Sequence, residues 1–231
     1  MTPLIIALDF PTAKLALDFA QNIEPHQCRL KVGLELYLAG GNKLLEQLQA
    51  LGFELFLDLK FHDIPNTVAS ACQQAAQLGV CMLTVHALGG TAMLSAAREA
   101  IDKSNANCRL IGVTLLTHHD DQVLEQLGLR DQNPAQQVLR LAKLAQTSGC
   151  DGVVSSGHEV AELKTKYPDL LCVTPGIRPA WSEGGDQRRI MTPTQALSLG
   201  ADFLVIGRPI TRAPDPLQAL AKVRAELDQI I

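Results

Sequence analysis

Short apolar runs recur along the chain, each closed by polar or glycine residues. Eight of them read as strands: residues 4–10 (LIIALDF), 28–34 (CRLKVGL), 54–61 (ELFLDLKF), 81–88 (CMLTVHAL), 109–116 (RLIGVTLL), 152–156 (GVVSS), 171–177 (LCVTPGI) and 203–210 (FLVIGRPI). Most start about 20–30 residues apart, with a longer interval after the fifth, and the segments between them carry helical periodicity. Strands that are apolar almost throughout suit a parallel sheet covered by helices. The helices are punctuated. Asn133-Pro134 reads as an N-cap with proline in the first helical position, followed by a face of Val138, Leu141, Ala142 and Ala145. Asp215-Pro216 repeats that start, with Leu217, Leu220, Val223 and Leu227 as the expected buried stripe. Gly52, Gly79, Gly149 and Gly200 each stand between a helical pattern and the next strand, where a left-handed residue ends a helix. Eight strand–helix units, with no linker and no low-complexity segment, predict an α/β fold. The expected form is one closed (β/α)8 TIM barrel over residues 1–231.

Strand residues alternate faces, and the charges obey that alternation. In residues 54–61, Leu55, Leu57, Leu59 and Phe61 share one face, while Glu54, Phe56, Asp58 and Lys60 share the other. The all-apolar face is expected on the helices, which turns Asp58 and Lys60 into the barrel near its C-terminal mouth, where sites of this fold lie. In the second strand Leu30, Val32 and Leu34 are expected outside and Lys31 and Gly33 inside; Asp9 closes the first strand. Asp9, Lys31, Asp58 and Lys60 therefore converge on one mouth, with Asp63 on the following loop. By itself the D-x-K-x-x-D pattern fits a catalytic cluster or a buried ion-pair network, and a buried pair is weak evidence for stability.

The last two strands end in Thr174-Pro175-Gly176-Ile177-Arg178 and Ile206-Gly207-Arg208-Pro209-Ile210. Barrels of this class often bind phosphate in these two loops, where glycine admits an anion to the backbone and arginine pairs with it. The alternative for each arginine, Arg178 and Arg208, is a surface turn, and the phosphate role is the favoured reading. The polar, glycine-bearing stretch from Pro179 to Gln187 reads as a lid or as an ordinary surface loop.

Composition narrows the function class. The chain has 231 residues, is 47% hydrophobic and carries a formal charge of −4, which gives no support for a nucleic-acid or membrane surface. The 6 cysteines form no C-x-x-C pair and read as reduced, mostly buried thiols. The opening MTPLIIALDF has no basic region before its apolar run, and no stretch reaches the ~18 apolar residues of a membrane span, so a cytoplasmic location is expected. His118-His119-Asp120-Asp121 lacks matching metal-ligand spacing elsewhere and reads as a helix start. His86 is expected as a satisfied core histidine, His62 in packing, and Met82 and Met93 as core filler.

The run Asp58-Leu59-Lys60-Phe61-His62-Asp63-Ile64-Pro65-Asn66-Thr67 resembles the signature segment of the orotidine 5′-phosphate decarboxylase family. The resemblance spans essentially the whole chain and continues in order: Ala-Leu-Asp at 7–9, Lys-Val-Gly at 31–33, Thr-Val-His-Ala at 84–87, Thr117, Pro-Gly-Ile-Arg at 175–178 and Ile-Gly-Arg at 206–208. It implies conversion of orotidine 5′-phosphate to uridine 5′-phosphate and CO2, with neither metal nor organic cofactor. It implies Lys60 as proton donor to C6 of the pyrimidine, with Asp58 beside the departing carboxylate. Asp63 and Thr67 would reach the site of a partner subunit, making a homodimer. Asp9 and Lys31 would meet the ribose hydroxyls, Thr117 the pyrimidine edge and Gln187 the base and phosphate, while Arg178, Gly207 and Arg208 would hold the phosphate. Two other readings stay open: a Mg-dependent sugar-phosphate decarboxylase or aldolase of the same superfamily, and a non-catalytic phosphate-ligand barrel.

Overall fold

The computed structural model describes residues 2–116, 121–126, 128, 133–182, 191–228 and 230. Eight parallel strands close in sequence order into a barrel: β1 Leu4–Ala7, β2 Arg29–Gly33, β3 Leu55–Phe61, β4 Met82–His86, β5 Arg109–Val113, β6 Gly152–Val154, β7 Leu171–Thr174 and β8 Phe203–Ile206, which pairs back onto β1. The helices among the described residues are α1 Ala13–Ala20, α2 Leu34–Ala50, α3 Pro65–Gln77, α4 Gly90–Lys103, α5 Asp121–Gln126, α6 Pro134–Thr147, α7 Gly157–Lys166, α8 Pro193–Ser198, α9 Arg208–Thr211 and α10 Pro216–Leu227.

Alternation along the strands divides the core in two. Leu55 and Leu57 join Leu30, Val32, Leu83 and Val85 in the large layer between strands and helices. Phe56 points the other way and packs with Ile5, Ala7, Met82, Ile111, Val173, Phe203 and Val205 inside the barrel. The interior is thus filled with side chains, as a barrel of eight strands requires. At its N-terminal end lies Arg29, 2% exposed, with its guanidinium 2.8 Å from Glu54 and over the Phe203 ring.

The turns into the strands carry the expected left-handed glycines, with φ of 94° at Gly52, 78° at Gly79, 87° at Gly149 and 99° at Gly200. At two of them a Gly-x-Asp sequence adds a stitch. Asp151 accepts the Leu110 N–H at 2.7 Å and pairs with Arg98, and Asp202 accepts the Cys172 N–H at 2.7 Å and pairs with Lys164. Asn133 and Asp215 cap α6 and α10 as expected.

Three expectations change. The strands stop earlier than the apolar runs do. Gly207 leaves the extended conformation, and Pro209, which has no N–H for a ladder, sits in the first turn of α9 instead. The overrun residues, among them Leu115, Leu116 and Ile177, line the barrel mouth, which is why they are apolar without being strand. Leu34 does not continue β2; it opens α2 and is 55% exposed. Leu217 is also exposed, and Ala219 takes the buried place beside Leu220, Val223 and Leu227 on α10.

Candidate active site

A cavity of about 270 Å³ opens at the C-terminal mouth. The ends of β1, β2 and β3 bring Asp9, Lys31, Asp58 and Lys60 to its wall, and the segments after β7 and β8 bring Arg178, Gly207 and Arg208. Phe56, Val113, Val154, Val173 and Val205 form its floor and sides. The expected acidic–basic cluster and the expected phosphate end therefore share one chamber.

The charges are joined. Asp58 Oδ1 accepts from Lys60 Nζ at 2.8 Å, and Asp58 Oδ2 lies 3.3 Å from Lys31 Nζ. Thr84, fully buried on β4, donates its hydroxyl to Asp58 Oδ1 at 3.1 Å. Burial pushes the Asp58 carboxyl up, but the Lys31 and Lys60 ammoniums and their hydrogen bonds more than offset it. The carboxyl is held below its ordinary value of 3.8 and stays ionised. Two glycines make room for the charged heads. A Cβ at Gly33 would stand 3.2 Å from Lys31 Nζ, and one at Gly207 would stand 3.0 Å from Asp9 Oδ2.

Local backbone geometry aims the cluster. Phe56 and Leu57 pair with Met82 and Leu83, but Phe61 pairs with Val85, so residues 58–60 stand opposite Thr84 alone. Such a bulge bends the strand and redirects its side chains. Lys60 takes φ of 52°, a left-handed conformation uncommon for a residue with a Cβ. Its N–H, which loses a ladder partner there, donates to Thr84 Oγ1 at 2.9 Å.

Other expected site residues lie elsewhere. Asp63 and Thr67 are exposed and do not line the cavity; Asp63 Oδ1 accepts the Ile64 N–H at 2.6 Å. Thr117, Gln187 and His118-His119-Asp120 lie outside the described residues, whereas Asp121 opens α5. His86 is half-buried at the end of β4 with its ring 5.4 Å from that of His62, a rim position and not a core one. Met82 and Met93 are fully buried. All six cysteines are unpaired, and burial pushes Cys28, Cys72, Cys108 and Cys150 up to about 12 and Cys81 and Cys172 up to about 11, which leaves them inert as nucleophiles. Among the described residues, no group of three or more His, Cys, Asp or Glu could hold a metal ion, and no helix is long and apolar enough to cross a membrane.

Sequence reasoning missed Thr84 and Arg29. Alternation places Thr84 on the same face as Met82, and Arg29 on the same face as Lys31, so parity alone could have raised both.

The chamber can hold a phosphorylated ligand with its anion at one end and a lysine–carboxylate pair at the other. That arrangement agrees with the comparisons to known proteins. The chain is 56% identical over 228 residues to orotidine 5′-phosphate decarboxylase of Laribacter hongkongensis, covering 98% of this chain and 93% of that protein. It is 52% identical over 224 residues to the enzyme of that name from Hydrogenovibrio crunogenus, covering 96% of this chain and 94% of that one. The crystal structure of orotidine 5′-phosphate decarboxylase from Lactobacillus acidophilus superposes with a TM-score of 0.87 at 38% identity, covering 99% of this chain and 100% of that one. The family model matches residues 2–223, so that the barrel, the charged mouth and nearly the full length agree in one assignment: the chain belongs to the orotidine 5′-phosphate decarboxylase / HUMPS family.

Proposed function

We propose that this protein converts orotidine 5′-phosphate to uridine 5′-phosphate and CO2, the closing step of UMP synthesis, in one catalytic barrel domain spanning residues 1–231. The observation that carries the reading is the Lys31–Asp58–Lys60 chain, set in the same cavity as Arg178 and Arg208.

Departure of CO2 leaves an electron pair on a vinylic carbon with no resonance stabilisation. The barrier reduction needed lies toward the upper part of the ~8–23 kcal/mol range. The Lys60 ammonium faces the developing charge at C6 and then transfers a proton to it. At about 4 Å and an effective dielectric of about 20, one such interaction contributes roughly 4 kcal/mol. The rest comes from groups held ready before reaction and from binding the phosphate, whose energy is used in the transition state. Asp58 stands beside the substrate carboxylate and holds the Lys60 side chain by their 2.8 Å contact. Asp9 and Lys31 take the ribose hydroxyls, and Arg178, Gly207 and Arg208 the phosphate. Thr117 and Gln187 are assigned to the base by resemblance alone. Neither metal nor organic cofactor enters this scheme.

Asp63 and Thr67 serve the neighbouring subunit of a homodimer. Supporting this, the segments that follow β2, β3 and β4 carry exposed apolar residues: Leu34 at 55%, Leu38 at 84%, Ile64 at 66% and Leu88 at 42% exposure. Burying such residues is a main driving force for association. A cytoplasmic location goes with the six unpaired thiols, since free cysteines persist in reducing compartments.

The test is to add orotidine 5′-phosphate to the purified protein and follow its ultraviolet absorbance with and without a chelator. Turnover in both arms is expected. No turnover refutes the reading, and turnover abolished by the chelator overturns its metal-free scheme.

A further inference from the structure

We propose that Thr84 is a positioning residue for the reaction, and that its hydroxyl fixes the Lys60 ammonium against Asp58. The proposal rests on the decarboxylase reading for its kinetic test, but its geometric basis is independent of it.

Three residues of β3, Asp58 to Lys60, stand opposite the single residue Thr84 of β4. A bulge of this size withdraws backbone partners, and a buried N–H left without one is costly. Thr84 Oγ1 takes the place of the missing ladder oxygen by accepting the Lys60 N–H at 2.9 Å. The same hydroxyl spends its one proton on Asp58 Oδ1 at 3.1 Å, the oxygen that also accepts from Lys60 Nζ at 2.8 Å. The contacts form a closed loop. It runs from the Lys60 backbone through Thr84 and Asp58 to the Lys60 ammonium. Thr84 has no accessible surface, and its neighbours Leu83 and Val85 lock β4 in the outer core, so the hydroxyl is held by a rigid strand.

The loop couples two features that would otherwise vary separately. One is the left-handed backbone of Lys60, at φ of 52°, which sets the direction in which the side chain leaves the strand. The other is the rotation of the Asp58 carboxylate, which decides whether Oδ1 faces Lys60 while Oδ2 faces Lys31. With the hydroxyl removed, the carboxylate is free to turn and the Lys60 backbone loses the partner that holds it in a sparsely populated conformation. The phosphate end of the cavity, on β7 and β8, is untouched.

The test compares Thr84→Val, which keeps the shape and removes the hydroxyl, with Thr84→Ser, which keeps the hydroxyl. A displacement of about 1 Å at a reacting group can cost about 10²-fold in rate. Thr84→Val is therefore expected to lower kcat at least about tenfold while the inhibition constant for uridine 5′-phosphate stays within about threefold of wild type. Thr84→Ser is expected to restore kcat to within about threefold. A smaller loss in Thr84→Val, a parallel loss of product binding, or failure of Ser to restore kcat overturns the proposal. If the Val variant does not fold, Thr84→Ala takes its place under the same criteria. A wild type inactive on orotidine 5′-phosphate defeats the decarboxylase reading instead. The crystal structure of the Val variant then decides: an opened Lys60–Asp58 contact upholds the positioning role, and an unchanged contact of 2.8 Å overturns it.

Discussion

Asp58→Asn removes one charge from a three-membered chain and leaves two ammoniums facing a neutral amide. At an effective dielectric of about 20, the contacts at 2.8 Å and 3.3 Å correspond to gross attractions of about 6 and about 5 kcal/mol. Desolvating three charges offsets much of that. Breaking a buried pair by removing one partner nevertheless costs about 3–5 kcal/mol, because the remaining charge is stranded. Unfolding in guanidinium at fixed protein concentration, followed by circular dichroism, should show that loss at pH 7. The pH dependence separates charge from packing. The folded carboxyl titrates below its ordinary 3.8, so its contribution to stability is complete above that value and is lost as pH falls through the folded value. The difference between wild type and Asp58→Asn should therefore be flat from pH 7 to about pH 5 and narrow below it. Equal stability at pH 7 would refute the reasoning; so would a gap that persists unchanged into acid, which would assign the loss to shape.

Two further outcomes are expected. Gly152→Ala should destabilise the barrel by about 1–3 kcal/mol or more, because a Cβ on β6 would stand 2.6 Å from the Leu171 carbonyl oxygen, a backbone atom of β7; thermal unfolding measures it. Leu38→Asp, at a side chain 84% exposed on α2, should weaken self-association at least about tenfold in sedimentation velocity and make specific activity fall on dilution, since Asp63 and Thr67 are assigned to the neighbouring site.

What could be read from the chain depended on the range of the interaction. In β3 the period-two pattern has one wholly apolar face, so Asp58 and Lys60 could only turn inward, and they do. Helix ends were equally legible, because Asn133, Asp215 and the four turn glycines act through their own neighbours. Strand ends were over-read at Gly207-Arg208-Pro209 because residues lining an apolar-walled mouth are as hydrophobic as residues in a sheet. The bulge at 58–60 left no local trace. No glycine or asparagine marks the left-handed turn at Lys60, whose N–H donates to Thr84 from 24 residues away. Leu34 and Leu217 followed the correct period but met no layer above them.

The central claim is that Lys60 supplies the proton that completes decarboxylation. Lys60→Ala tests it most directly, with orotidine 5′-phosphate turnover and uridine 5′-phosphate binding measured on the same preparation. Turnover should fall at least about 10²-fold, the lower bound for loss of a positioned proton donor, while the nucleotide still binds. Turnover at the wild-type rate with the lysine gone would contradict the account.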